Sequence, residues 1–198
     1  QMCIRDSYHG VSRASVKPGD KVLVFGAGAI GILAGVAVKS FGARVYITDI
    51  AGEKVEAAVR DFHLDGGFVN ESRERLDAFV QEITGGDGFD VTVEAVGAPS
   101  AFLGCVQAAA SRGRAVVIGV AKHSADFNFL ELQRKELEMY GSRAATAADF
   151  AAAMKLVKDG FVDLKKLISR TYPAGSAAEA FRDLDQNYGE IIKAEFEF

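Results

Sequence analysis

The chain has 198 residues, 49% of them hydrophobic and 25% charged, with a formal net charge of -4. That apolar content can bury the core of one ordinary domain with a small appendage. The mild acidity and the lack of long Lys/Arg clusters argue against nucleic acid or an anionic membrane as the main partner, and favour a small soluble ligand.

Taken in chain order, Val22 to Phe25 is a short β-branched run entering a glycine turn. Ile30, Leu33, Ala34, Ala37, Val38 and Phe41 then keep helical spacing until Gly42 supplies a C-terminal cap. Val45 to Thr48 reads as a second strand, and Val55, Ala58, Val59 and Phe62 as one apolar helical stripe stopping before Gly66 and Gly67. The unit repeats: Phe68 to Asn70 is a third strand, and Leu76, Phe79, Val80 and Ile83 stripe the next helix. A fourth strand, Asp90 to Ala95, follows the turn "GGDG". Phe102, Cys105, Val106 and Ala109 mark a helix, "SRGR" turns the chain, and Ala115 to Ile118 is a fifth strand ending at Gly119. Leu137 to Tyr140 is a sixth, followed by a helix carrying Phe150, Met154 and Val157 and closed by Gly160. Strand and helix alternating at this rhythm predict an α/β fold, a doubly wound six-stranded parallel sheet of the Rossmann type. Beyond Gly160, Pro173 opens a turn, Ala177, Ala180, Phe181 and Leu184 stripe a helix, and Ile192 to Phe198 alternates as a half-exposed strand with no evident partner.

Cys3 and Cys105 are far apart and lack CxxC spacing, so neither a disulfide framework nor a structural metal site is indicated, and a reducing cytoplasm is expected. The longest apolar run, Ala27 to Val38, is too short to span a bilayer, and "QMCIRDS" carries no secretory signal.

Gly26, Gly28 and Gly31 form GxGxxG directly after a strand and before a helix. The spacing assigns them a tight turn, close backbone approach to a diphosphate, and close helix-to-strand packing. The helix beginning near Ala29 presents unpaired N–H groups and a positive dipole end to the phosphates. Asp49, at the end of the second strand, is placed to accept from both ribose hydroxyls. Its charge would repel a 2′-phosphate by a few kcal/mol at roughly 4 Å and an effective dielectric of about 20, so NAD is favoured over NADP. A doubly wound sheet that merely turns tightly here is the alternative. Since ligands cross the carboxyl ends of such strands, Val96, Gly97, Gly119, Val120, Ser142 and Arg143 are candidate contacts, or plain loop residues. Lys54 either reaches the adenosine ribose or lies solvated on its helix.

"YHGVSRASVKPGDKVLVFGAGAIG" (Tyr8 to Gly31), "DVTVEAVG" (Asp90 to Gly97), "RGRAVVIG" (Arg112 to Gly119) and "KELEMYGSR" (Lys135 to Arg143) together resemble the cofactor domain of medium-chain, zinc-type alcohol and polyol dehydrogenases of the sorbitol or threonine dehydrogenase kind. The resemblance runs from about Tyr8 to the end. It implies that Ile30, Asp49, Lys54, Ile118 to Val120 and Ser142 to Arg143 touch NAD, that the substrate is a small secondary alcohol or polyol, and that Phe127 to Phe129 with the sixth strand build the interface of a homo-oligomer, a dimer or tetramer. The family usually has proline where Ala29 stands, a departure that leaves the helix start intact. It also implies a catalytic zinc held in an amino-terminal half that these residues do not include, where it would act as a Lewis acid during hydride transfer.

No catalytic or metal-ligating residue is therefore expected in this chain. His9, His63 and His123 lie on different elements without paired spacing and read as surface or linker histidines, His9 alone standing where the two halves would meet. Glu94 reads as a satisfied strand-end carboxylate, and Cys105 as a small core hydrophobe. The expected division is a non-native scar over 1–7, which fits no element, a linker over 8–20, a dinucleotide-binding domain over 21–160, and a segment over 161–198 returning to the catalytic domain. A non-catalytic NAD-sensing domain is the competing class. A short-chain dehydrogenase is disfavoured because no YxxxK pair is present. The chain alone is expected to bind NADH weakly and to turn over no alcohol.

Overall fold

The computed structural model describes residues 2–198. The central strands are β1 (Lys21–Phe25), β2 (Arg44–Asp49) and β4 (Phe89–Glu94), and the polar Thr48, Thr92 and Glu94 are buried in them together with the apolar residues. Val22, Leu23, Val24, Val45, Ile47, Val91 and Val93 are all 0% exposed, as a sheet covered on both faces requires. With β3 (Gly66–Val69), β5 (Ala109–Val117) and β6 (Glu138–Gly141) they make a six-stranded sheet in the order β3-β2-β1-β4-β5-β6, every pair parallel. The order reverses between β1 and β4, which fixes the crevice where ligands of such sheets lie.

Helices α2 (Ala29–Ser40), α3 (Gly52–Phe62), α4 (Arg73–Thr84) and α5 (Pro99–Ala108) supply the crossovers. Side chains alternate across the sheet: Val22 and Val24 of β1 join one core with Leu33 and Ala37 of α2 and Val55 of α3. Leu23 and Phe25 face the other, with Phe79 of α4 and Cys105 of α5. Gly42, at φ +80°, ends α2 with its N–H donating to the Lys39 carbonyl. α3 ends earlier than its glycines suggested, at His63 in the left-handed conformation. Gly66 and Gly67 are instead the first residues of β3, where a Cβ on Gly67 would fall 2.7 Å from the Ile47 carbonyl oxygen.

Three expectations are corrected. First, the stretch read as patternless and then as linker folds as α1 (Met2–Arg13); Gln1 lies outside the described residues. Ile4 and Val11 of α1 are buried in the core shared with α2, and the Ser7 hydroxyl donates to the Ile30 carbonyl at 2.9 Å. Ile4, Tyr8 and Val11 share one helix face at i, i+4, i+7, a stripe that a boundary between Ser7 and Tyr8 divides. Second, "SRGR" does not separate helix from strand: β5 already begins at Ala109, and the tight bend at Arg112 (φ +61°) sits beside a register shift against β4. Lys135, at the end of an unforeseen short helix α6 (Leu130–Lys135), anchors this junction. Its Nζ donates to the carbonyls of Val106, Gln107 and Ala109 at 2.8, 2.7 and 2.7 Å.

Third, the orphan terminal strand has a partner. Pro173 opens the expected turn, a single 3-10 turn over Ala174–Ser176, and also closes β7 (Ile168–Pro173), which pairs in parallel with β8 (Lys193–Glu197) through α8 (Ala177–Gln186). This two-stranded sheet is separate from the main one. The remaining helix, α7 (Ala147–Lys158), opens with a capping box of Thr146 and Asp149. No helix among the described residues is long and apolar enough to cross a membrane.

Candidate functional site

The glycine turn joins β1 to α2, and each glycine meets a different physical demand. Gly26 takes φ +103°, and its N–H donates to the Thr48 carbonyl at 2.7 Å, so the chain can turn sharply. A Cβ on Gly31 would lie 1.8 Å from the Gly26 carbonyl oxygen. A Cβ on Gly28 would meet nothing within 4 Å. Gly28 is the N-cap of α2 without a side-chain cap, and the first intrahelical bond runs from the Ile32 N–H to its carbonyl. The amides of Ala29 and Ile30 therefore have no acceptor among the described residues, and they stand at the positive end of the helix. Open space before unpaired amides is what a diphosphate needs.

Asp49 ends β2 beside this turn. Its Oδ2 accepts from the Ala27 N–H at 2.7 Å, and its Oδ1 from the Ala51 N–H at 3.0 Å. These two bonds fix the carboxylate and leave acceptor capacity on both oxygens. Asp49 lines a cleft of about 540 Å³ with Gly26, Thr48, Asn70, Val96 and Leu103. A second cleft of about 710 Å³ is lined by Ile30, Val96, Ile118, Gly119, Val120, Ser142 and Arg143. Val96 belongs to both, so the two meet as one trough along the carboxyl ends of the strands; of the glycine turn, Gly26 lines the first cleft and Ile30 the second, while Gly28, Ala29 and Gly31 line neither.

Glu94 holds the β4 side of this trough. It is buried, and its Oε1 accepts from the N–H groups of Val96 at 2.8 Å and Gly97 at 2.7 Å. A Cβ on Gly119 would fall 2.4 Å from Oε2 and 2.3 Å from the Gly97 nitrogen. Gly97 lines neither cleft; it lets the loops after β4 and β5 touch. Glu94 is thus a satisfied strand-end carboxylate, as expected. The Cys105 thiol is pushed well up by burial, with the Glu94 charge adding to it, which makes it an inert core group.

Lys54 is neither solvated nor on the cleft wall. It is 4% exposed, and its Nζ lies 4.0 Å from the centroid of the Tyr188 ring. Burial pulls its pKa down, and Asp49 pulls it partly back. His9 is also accounted for: its Nδ1 pairs with Asp149 Oδ2 at 2.8 Å, tying α1 to α7. His63 caps α3, and no group of three or more His, Cys, Asp or Glu among the described residues could hold a metal ion.

Sequence reasoning missed part of the wall. Asn70 to Arg73 line the first cleft, and the rule that ligands lie at strand carboxyl ends, applied to β3 as it was to β4 and β5, would have found them. Tyr188 also lines it, and nothing in the local pattern signals that. Asp6 lines the second cleft from α1.

A family model described as zinc-binding dehydrogenase matches residues 29–159. L-galactonate-5-dehydrogenase of Escherichia coli (strain K12) is 32% identical over 192 residues, covering 97% of this chain and 56% of that protein. Sorbitol dehydrogenase 1 of Saccharomyces cerevisiae is 31% identical over 191 residues, covering 93% of this chain and 53% of that protein. Among solved structures, L-idonate 5-dehydrogenase of Escherichia coli superimposes with a TM-score of 0.85 at 25% identity, over 100% of this chain and 55% of that one. The chain spans about half the length of the curated relatives it matches.

Proposed function

The chain belongs to the zinc-binding dehydrogenase family, and on that premise we propose that it is the NAD-binding part of a dehydrogenase of secondary alcohols or polyols. The observation that carries this is the open space at Gly28 beneath the free amides of Ala29 and Ile30, with Asp49 fixed alongside. The amides bind the diphosphate, Asp49 accepts from the adenosine ribose hydroxyls, and its charge disfavours a 2′-phosphate. Val96, Ile118, Val120 and Ser142 wall the far cleft and orient the nicotinamide there, while Arg143 stands at its rim. Bound NAD supplies the hydride acceptor.

The residues present do not fit a zinc site, so no step is routed through one here; on this reading the metal ligands and most of the substrate pocket lie outside these residues. Residues 21–160 form the cofactor domain, and β7, α8 and β8 belong with the catalytic half. The exposed Phe181 and Phe198 support that assignment, since both await cover. Phe129, 79% exposed, lies on the chain between β5 and the edge strand β6 and suits an interface between subunits. The reading places the protein in a reducing cytoplasm, where Cys3 and Cys105 stay free thiols.

Calorimetric titration of the chain with NADH and with NADPH tests the proposal. One NADH per chain, bound at least about tenfold tighter than NADPH, is expected. Absence of NADH binding, or preference for NADPH, would overturn it.

A further inference from the structure

Tyr188 enters the trough from outside the main sheet. It follows α8 in the turn before β8, is 61% exposed, and lines the cleft that holds Asp49. Its ring rests on the Lys54 ammonium at 4.0 Å. Lys54 itself is almost fully buried and does not line that cleft. Among the described residues its Nζ makes no hydrogen bond and no ion pair; it meets the aromatic face, with the Asp49 charge near enough to act on it. An ammonium withdrawn from water and paired with a ring face holds that ring in place, because the attraction strengthens with desolvation.

Resting on the reading of the trough as an NAD site, we infer that Tyr188 is a positioning residue for the adenosine end of the cofactor, with Lys54 acting through it as a pedestal. The ring gives the cleft, which Leu103 also lines, a flat apolar wall against which the adenosine can lie, and the buried cation fixes its angle. The two side chains then form one unit rather than two separate contacts.

The test is a double-mutant cycle in the 198-residue chain, titrated with ADP-ribose and with reduced nicotinamide mononucleotide as probes of the two halves of the cofactor. Tyr188→Ala is expected to weaken ADP-ribose by about five- to tenfold, and Tyr188→Phe to restore it within about twofold. Affinity for the mononucleotide should be unchanged in both. Lys54→Met should cost no more than Tyr188→Ala, and the double variant no more than Tyr188→Ala alone, because residues acting as a unit are not additive. Unchanged ADP-ribose affinity in Tyr188→Ala overturns the inference, as do additive losses or an equal loss of the mononucleotide. Should Tyr188→Ala fail to fold, Tyr188→Leu carries the same comparison. A wild-type chain that binds neither probe overturns the NAD reading itself, an outcome distinct from the others.

Discussion

Adding one methyl group at two places in the same turn separates folding from binding. In Gly31→Ala the new Cβ lies 1.8 Å from the Gly26 carbonyl oxygen and 2.9 Å from its carbon. Both are backbone atoms of a turn held by the Gly26 N–H bond to Thr48, so neither can swing away. Overpacking of this kind costs about 3 kcal/mol or more, against a total stability on the order of 5–15 kcal/mol. At roughly 2–4 °C per kcal/mol for a chain of this size, the midpoint should fall by about 10 °C. In Gly28→Ala the Cβ meets nothing, and the backbone at φ -79°, ψ 180° admits alanine. Alanine is a poorer N-cap than glycine by about 0.5–1 kcal/mol, but it restricts the unfolded chain by a similar amount, so the midpoint should stay within about 2 °C. The methyl nevertheless occupies the space the diphosphate needs, and NADH affinity should fall by at least about tenfold, or 1.4 kcal/mol. Scanning calorimetry gives the first quantity. Because the chain has no Trp, NADH fluorescence, free of indole background, gives the second. Wild-type NADH affinity in Gly28→Ala, or a wild-type midpoint in Gly31→Ala, would refute the roles assigned to the turn.

Asp49→Asn keeps one acceptor oxygen but loses the charge, so NADH should weaken by roughly tenfold and the preference over NADPH should shrink; competition titrations read both, and an unchanged ratio would count against the ribose role. Lys135→Met removes three charge-assisted bonds and leaves three carbonyls without that donor, which should lower stability by about 2–4 kcal/mol in urea unfolding while NADH affinity in native buffer is retained. Burial raises the Asp149 carboxyl pKa, but bonds from Thr146 and His9 outweigh it and hold the group below its ordinary value. A carboxyl lowered on folding contributes stability that is complete above the unfolded value near pH 4 and is lost as pH falls through the folded one. The melting difference between wild type and Asp149→Asn should therefore narrow from about pH 6 to pH 3; a constant gap would contradict the assignment.

The sheet was legible because its signals are local. Val22 to Phe25 is apolar on every residue, Gly26 to Gly31 stands where strand becomes helix, and Asp49 falls at the next strand end. Each of these can be read within one βα unit, and together they place the crevice. What escaped depends on distant partners. The α1 segment does carry Ile4, Tyr8 and Val11 at helical spacing, but a boundary drawn between Ser7 and Tyr8 cuts that stripe in two; its partner is the surface of α2, which Ile4, Ser7 and Val11 meet. β7 carries the polar Ser169, Arg170 and Thr171, and no element is assigned to it from the sequence; its partner β8 lies more than twenty residues on. Lys135 looks like any surface lysine in "LQRKEL", yet its ammonium closes a helix end 26 to 29 residues earlier. Lys54 was placed correctly on α3, but the ring that meets its ammonium belongs to Tyr188, and no spacing rule links the two.

The central claim is geometric, and a crystal structure of the chain grown with NADH tests it most directly. Diphosphate oxygens should lie within about 2.7–3.2 Å of the Ala29 and Ile30 nitrogens, with the adenosine ribose hydroxyls at the same range from Asp49. Cofactor density elsewhere on the protein, or a dinucleotide bound with Asp49 turned away from its sugar, would contradict it.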